Sequence, residues 1–247
     1  MINTVTFNGV NFWEDLGALL TAPVSYPIPA EIKESVQIKG ANGSLTEATG
    51  YFNTLEIETE FKVLIGHGED LETHNFNLLK RKINKLFNNI IDNRLMFSDI
   101  PEKYYKVSSC GLTSVTKISE YEATFKVIFK CDPFLYSIDD IETPIRNGEK
   151  VIYNGDIPNT PIIRVDIRDI DDNTFTILHN GTPFKVFTRV QGVIEINNNP
   201  YSHATQNGKP LKTEGKPIVF DKGEHTIKFT GATVIDSIIL KNERYLG

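Results

Sequence analysis

The sequence predicts a mainly β protein of two parts: a β-rich N-terminal domain with one amphipathic helix, followed by a C-terminal β-sandwich or jelly-roll-like barrel. Three observations carry this. A clean two-residue period runs through "NTLEIETEFKVLI". A helical period occupies one stretch only, "ETHNFNLLKRKINKLFNNIIDNR". After residue 160 come only short apolar runs separated by Gly, Asn and Asp turns.

The N-terminal elements follow in order. "TVTFNGVNF" reads as a strand turning at Asn8-Gly9. "IPAEIKESVQIKGANGSLTEATGYF" reads as two strands around a loop in which Gly40, Asn42 and Gly43 supply backbone freedom. In the next segment Leu55, Ile57, Thr59, Phe61 and Val63 fall on one side of a strand and Glu56, Glu58, Glu60 and Lys62 on the other. Leu79, Ile83, Leu86 and Ile90 then recur at spacings of four, three and four, widened by Phe76, Phe87 and Ile91, which predicts a helix over 73–92. Such a face must be buried against a neighbouring sheet. "RLMFSDIPEK" carries the chain out of the helix and turns it. "KYYKVSSCGLTSVTKI" and "YEATFKVIFKCDPF" are two strands joined near 118–121, the second expected to stop at Pro133, which has no amide hydrogen for a ladder.

Composition shifts at "SIDDIETPIRNGEKVIYNGDIPNTPII", with three prolines and two Asn-Gly pairs. The expected division is therefore 1–136, a linker or inserted hairpin at 137–160, and 161–247. Seven strands are read in the last part, from "IIRVDIRD" through "TFTILHNG", "PFKVFTR", "GVIEINNN", "PIVFDKG" and "HTIKFTGA" to "VIDSIILKNERY".

Bulk properties narrow the function. With 247 residues, 40% of them apolar or aromatic, the chain can bury a substantial core. The formal charge of -6 gives no long-range field toward nucleic acid or anionic membranes. No run approaches the roughly twenty apolar residues that span a bilayer, and the opening "MINTVTFNGV" lacks the features of a signal peptide. Cys110 and Cys131 cannot build a disulfide scaffold or a multi-cysteine zinc site. Two reduced, buried thiols are the simpler reading, and a single bridge is the alternative.

The chemistry-bearing residues each have an ordinary structural role open to them. Asp99 and Glu102 flank Pro101 beside Tyr104 and Tyr105, and Asp139, Asp140, Glu142, Asp169, Asp171 and Asp172 add carboxylates. Glycoside hydrolysis needs two carboxylates across a cleft, but Asp is common in turns for its backbone hydrogen bonds. His67, His74, His179, His203 and His225 show no metal-ligand spacing, and no HExxH is present. Cys131 lacks a partnered base. Ser44 fits neither a phosphate loop nor a GxSxG elbow. Lys and Arg in "LLKRKINK" and "FKVIFK" ride polar faces, while Phe125 and Phe129 share the core phase, so a stacking platform for single strands is disfavoured. Catalytic residues, cofactors and metals are accordingly not expected. The weak alternative is carbohydrate binding, with Tyr201, His203 and Asn207 in "NNNPYSHATQNGK" as candidates.

The order of these pieces resembles the distal tail protein family of long-tailed bacteriophages and related phage-derived particles. The matching segments are "TFNGVNFWEDLGALL", "IKGANGSLTE", "YFNTLEIETEFKVL" with the helix after it, "RLMFSDIPEKYYKVSS", "YEATFKVIFKCDPFLYS", "NTPIIRVDI" and the closing "GKPIVFDKGEHTIKFTGA" to "SIILKNERYLG". The resemblance covers essentially the whole chain and rests on order and spacing more than on any one motif. It implies a ring-forming N-terminal domain and a galectin-like C-terminal sandwich. It further implies a structural, non-enzymatic role in which six copies close around a tail axis. They would join tail-tube protein to tail-tip hub protein and, in many particles, to receptor-binding or other baseplate proteins. Such a protein resides in the virion tail tip or baseplate, assembled in the bacterial host cytoplasm, without membrane or sequence-specific nucleic-acid partners. The family's hairpin toward a neighbouring subunit would lie at 28–57, with Lys39, Gly40, Ala41, Asn42, Gly43 and Ser44 at its tip. Family members often carry an arginine there. Here Lys39 supplies the positive charge, without the planar fork of a guanidinium.

Overall fold

The computed structural model describes residues 4–37, 44–67, 74–139, 142–199 and 202–246. They divide into two compact units, one of residues up to Tyr136 together with Leu246, the other from Ser137 to Tyr245.

The first unit begins with β1 (Val5–Phe7) and β2 (Val10–Asn11), joined by a turn in which Asn8 and Gly9 both take positive φ. A short helix, α1 (Phe12–Leu16), follows directly. It adds a second helix to the one expected. Its ends are encoded locally: the Asn11 side chain accepts from the amides of Trp13 and Glu14, and Gly17 closes it in the left-handed region. Phe12 and Leu16, four apart, are both fully buried. After β3 (Ala18–Leu20) come β4 (Glu31–Gln37), β5 (Ser44–Phe52) and β6 (Leu55–Leu64). In β6 the alternation read from sequence is the burial pattern, with Leu55, Ile57, Thr59, Phe61 and Val63 inward.

The long helix α2 spans Phe76–Asn88, shorter at its C-terminal end than the periodicity suggested, so Ile90 and Ile91 lie outside it. The stop is imposed from a distance. The Asn8 side-chain amide donates to the carbonyls of Leu86 and Asn89, and its oxygen accepts from the amides of Ile91 and Asp92. One residue thus satisfies carbonyls that a helix end leaves open. Leu79, Ile83, Leu86 and Phe87 form the buried stripe.

"RLMF" is itself a strand, β7 (Arg94–Phe97), paired with β1. β8 (Lys103–Lys117) and β9 (Glu122–Ser137) form the expected hairpin. β9 runs through Pro133 rather than stopping there. Its ladder with β6 ends at Leu55↔Cys131, so the missing amide falls beyond that ladder. The sheet path is β2-β1-β7-β8-β9-β6-β3. Its apolar face holds an aromatic cluster: Phe7–Phe129 at 5.1 Å, Phe12–Phe61 at 4.9 Å, Phe61–Phe125 at 4.9 Å, with Phe87 of α2 within 6.0 Å of Phe7, Phe12, Phe125 and Phe129. Each such ring contributes roughly 1.5–3 kcal/mol through burial. The other face carries the pairs Lys130–Glu56, Lys126–Glu60 and Lys62–Glu122. These exposed pairs add little energy, but a one-residue slip would bury all of them, so they hold the register.

The second unit is a two-sheet sandwich. The stretch 137–160, expected as a linker or inserted hairpin, supplies β10 (Thr143–Pro144) and β11 (Lys150–Tyr153) to it, because Val151 and Tyr153 alternate inward and are buried. One sheet runs β10-β20-β12-β15-β16-β17, from β12 (Ile162–Arg168), β15 (Gly192–Asn199), β16 (Ser202–Gln206), β17 (Lys209–Pro210) and β20 (Thr233–Leu240). The other runs β11-β19-β13-β14-β18, from β13 (Thr174–His179), β14 (Thr182–Phe187), β18 (Lys212–Gly215) and β19 (Gly223–Thr230). A final strand, β21, covers Arg244–Tyr245. One apolar cluster draws from both sheets, including Val165, Ile194 and Ile196 from one and Phe175, Ile177, Phe184 and Phe229 from the other. In "PIVFDKG" residues 217–222 form no strand and make a single bridge, Phe220↔Asn159, while Gly223 opens β19. The strands there are instead β16, β17 and β18, whose polar sequences hide them.

Candidate interaction surfaces

The residues expected to matter are best located by element. Among the described residues, β4 and β5 pair only with each other, from Glu31↔Phe52 to Gln37↔Ser44. Almost every side chain in this ribbon is exposed, including Ile32, Val36, Leu45 and Tyr51. An isolated two-stranded ribbon is marginal in water, and apolar side chains on it lack a core. Ser44 opens β5 and is exposed, while Lys39, Gly40, Ala41, Asn42 and Gly43 lie outside the described residues.

The approach to the ribbon is fixed at Tyr26. Its hydroxyl donates to both carboxylate oxygens of Asp99, at 2.8 and 2.9 Å, and its ring stacks on Tyr105 and meets Phe97 edge-on. Burial, and then the Asp99 carboxylate, push the Tyr26 phenol well above its ordinary value, so it remains a donor. Asp99 is therefore an anchor. Glu102 has a positive φ in the turn, Tyr104 stacks on Tyr136 at 5.6 Å, and Tyr105 is buried and pushed up to about 12 by burial. Asp99 and Tyr105 both hold Tyr26, Glu102 shapes the turn and Tyr104 packs on Tyr136, which gives each a structural role. Asp140 lies outside the described residues, while Asp169 and Asp172 occupy positive-φ turn positions.

A second surface is the edge of β8. Its ladder with β7 covers Arg94↔Lys106 and Leu95↔Tyr105, and the amide of Val107 donates to Asn93. Beyond that point, among the described residues, no strand flanks β8 on the side away from β9. Residues 108–117, "SSCGLTSVTK", thus present an open row of backbone groups with no proline in it.

The thiols are separate. Cys131 is buried, and burial followed by the neighbouring Asp132 charge pushes it up to about 12. Cys110 donates to the Phe87 carbonyl at 3.3 Å. The histidines divide likewise. His67 packs on Trp13 at 4.5 Å. His179 and His225 stack, with His179 Nε2 2.9 Å from His225 Nδ1. His225 Nε2 lies 2.6 Å from the Asp221 carbonyl, which only accepts, so Nε2 carries the proton and Nδ1 accepts from His179. This pair was not anticipated, because its members are 46 residues apart on β13 and β19. Among the described residues, no group of three or more His, Cys, Asp or Glu side chains is arranged to hold a metal ion. No described helix is long and apolar enough to cross a membrane.

Of the sugar candidates, Tyr201 lies outside the described residues, His203 is half-buried on β16, and Asn207 sits at positive φ in the β16–β17 turn. Asn207 lines an open cleft of about 490 Å³ with Arg189, Gln206 and Lys209; His203 is not among its described lining residues.

No protein-family model and no curated protein matches the chain. Among solved structures, it is similar to the Dit (gp 19.1) protein of phage SPP1, described as a paradigm of the hub adsorption apparatus in phages infecting Gram-positive hosts. The identity is 17% and the TM-score 0.64, with 97% of this chain and 98% of that chain covered. A component of the phage P2 baseplate in its activated conformation aligns at 15% identity and a TM-score of 0.46, over 97% and 98% of the two chains. With its mainly β, two-unit architecture, the chain shares the fold of the SPP1 distal tail protein over nearly the full length of both.

Proposed function

We propose that this chain is a structural, non-enzymatic subunit of the tail tip or baseplate of a phage or phage-derived particle. It would form a hexameric ring that joins tail-tube protein to tail-tip hub protein and carries receptor-binding or other baseplate proteins. The observation supporting this most is the fold shared with SPP1 Dit across 97% of the chain. Two surfaces of the first unit fit ring building. The β4–β5 ribbon exposes apolar side chains that a neighbouring copy would cover. The β8 edge offers backbone donors and acceptors for a strand from another subunit. A ring closes only when the rotation of a repeated heterologous contact closes, which for six copies is 60° per subunit. Imaging of the assembled particle tests this directly. Sixfold density for this chain between tube and hub is the expected result, and a chain that stays monomeric with both partners present would exclude the ring.

A further inference from the structure

We infer that the second unit carries a binding site for an acidic saccharide, a sugar bearing a phosphate or carboxylate, in the cleft at the end of β14 beside the β16–β17 turn. The site is separate from the ribbon and the β8 edge, and it does not rest on the ring reading.

Charge comes first. Arg189 and Lys209 are exposed and line the cleft, and Lys212 Nζ stands 5.2 Å from the centroid of the lining Phe187 ring. Among the described residues that line it, none is a carboxylate. On a chain of net charge -6, two lining cations with no carboxylate among the described lining residues favour an anion, and the Arg189 guanidinium offers a planar fork that matches phosphate or carboxylate.

The remaining groups suit a polyol. Gln206 and Thr188 are almost fully buried and fix one another: the Thr188 hydroxyl donates to Gln206 Oε1 at 2.9 Å, and Gln206 Nε2 donates to the Val190 carbonyl at 2.9 Å. Both residues line the cleft, so Gln206 brings an amide held in a fixed orientation to its wall. Asn173 and Asn207 enter from two turns, each held at positive φ, and bring amide groups that both donate and accept. Phe187 and Leu211 supply apolar surface for a sugar ring. A concave site with a few fixed polar groups beside apolar walls is the usual form of a small-ligand pocket. A bare inorganic anion would leave the amides and the apolar wall unused.

The test is titration of the full chain, by calorimetry and ligand-observed NMR, with glucose 6-phosphate, glucuronate, glucose, inorganic phosphate and hexaglutamate. Glucose 6-phosphate or glucuronate should bind at least about tenfold more tightly than glucose, the effect of one charge-assisted hydrogen bond. The Arg189→Ala/Lys209→Ala variant should lose that advantage, while Lys228→Ala should retain it. Arg189→Gln alone serves if the double variant misfolds. The inference is overturned if glucose binds equally well, if inorganic phosphate matches glucose 6-phosphate, if hexaglutamate binds more tightly than either acid sugar, or if the Arg189 and Lys209 changes leave affinity untouched.

Discussion

Single side chains decide more here than their sequence neighbourhoods suggest. Asn8 shapes the β1–β2 turn and also closes α2, some eighty residues later in the chain. The His179–His225 pair ties β13 to β19 through side chains that are stacked and hydrogen-bonded. Burial, and then the electrostatic effect of His225, hold His179 below its ordinary 6.5, with Asp221 opposing. The unfolded chain therefore takes up this proton at a higher pH than the folded one, and stability falls as pH drops below about 6.5. The melting temperature should decrease between pH 7.5 and 5.5, and His179→Asn should flatten that slope; an unchanged slope would remove His179 as its source. The Asn8-Gly9 turn was legible in sequence because a dipeptide signals a turn. Its reach to α2, like the histidine pair, was not, since no local period encodes a contact across the fold.

At the scale of elements, the first unit contrasts a helix fastened to a core with an exposed two-stranded ribbon. Ile83 is fully buried in the stripe of α2. Ile83→Ala should cost about 2–5 kcal/mol in urea unfolding. Val36→Ser on the exposed ribbon should change stability by no more than about 0.5 kcal/mol, yet weaken self-association, read by analytical ultracentrifugation. Equal stability losses in the two variants would mean that the ribbon is already packed. β6 and α2 were readable because each presents one face to a core, and a burial period then appears in the chain. β16, β17 and β18 were missed for the converse reason. "SHATQ" buries mainly Ala204 and Gln206, so hydrophobicity barely alternates, and the strand is held by its partners β15 and β17. Pro133 misled in the same way, because whether a missing amide matters depends on where the neighbouring ladder ends.

For the whole molecule, the order of pieces was the most informative property of the sequence. Individually they are strands and turns; in sequence they matched a fold that the structure shares end to end with SPP1 Dit. The candidate surfaces were legible only in outline. The ribbon was expected from its Asn-Gly turn, whereas the cleft of the second unit draws on turns near 173, 189 and 207 that no linear pattern joins. The uncovered flank of β8 adds a consequence in kinetic terms. In the free chain, the alternate amides between 108 and 117 that point away from β9 meet no flanking strand among the described residues, so their deuterium uptake should be complete within seconds while neighbours bonded to β9 retain protons far longer. If the proposed ring forms and a strand from another subunit docks there, that fast class should vanish, and its size becomes a count of unassembled copies. Identical uptake in free and assembled protein would mean that this flank stays open after assembly.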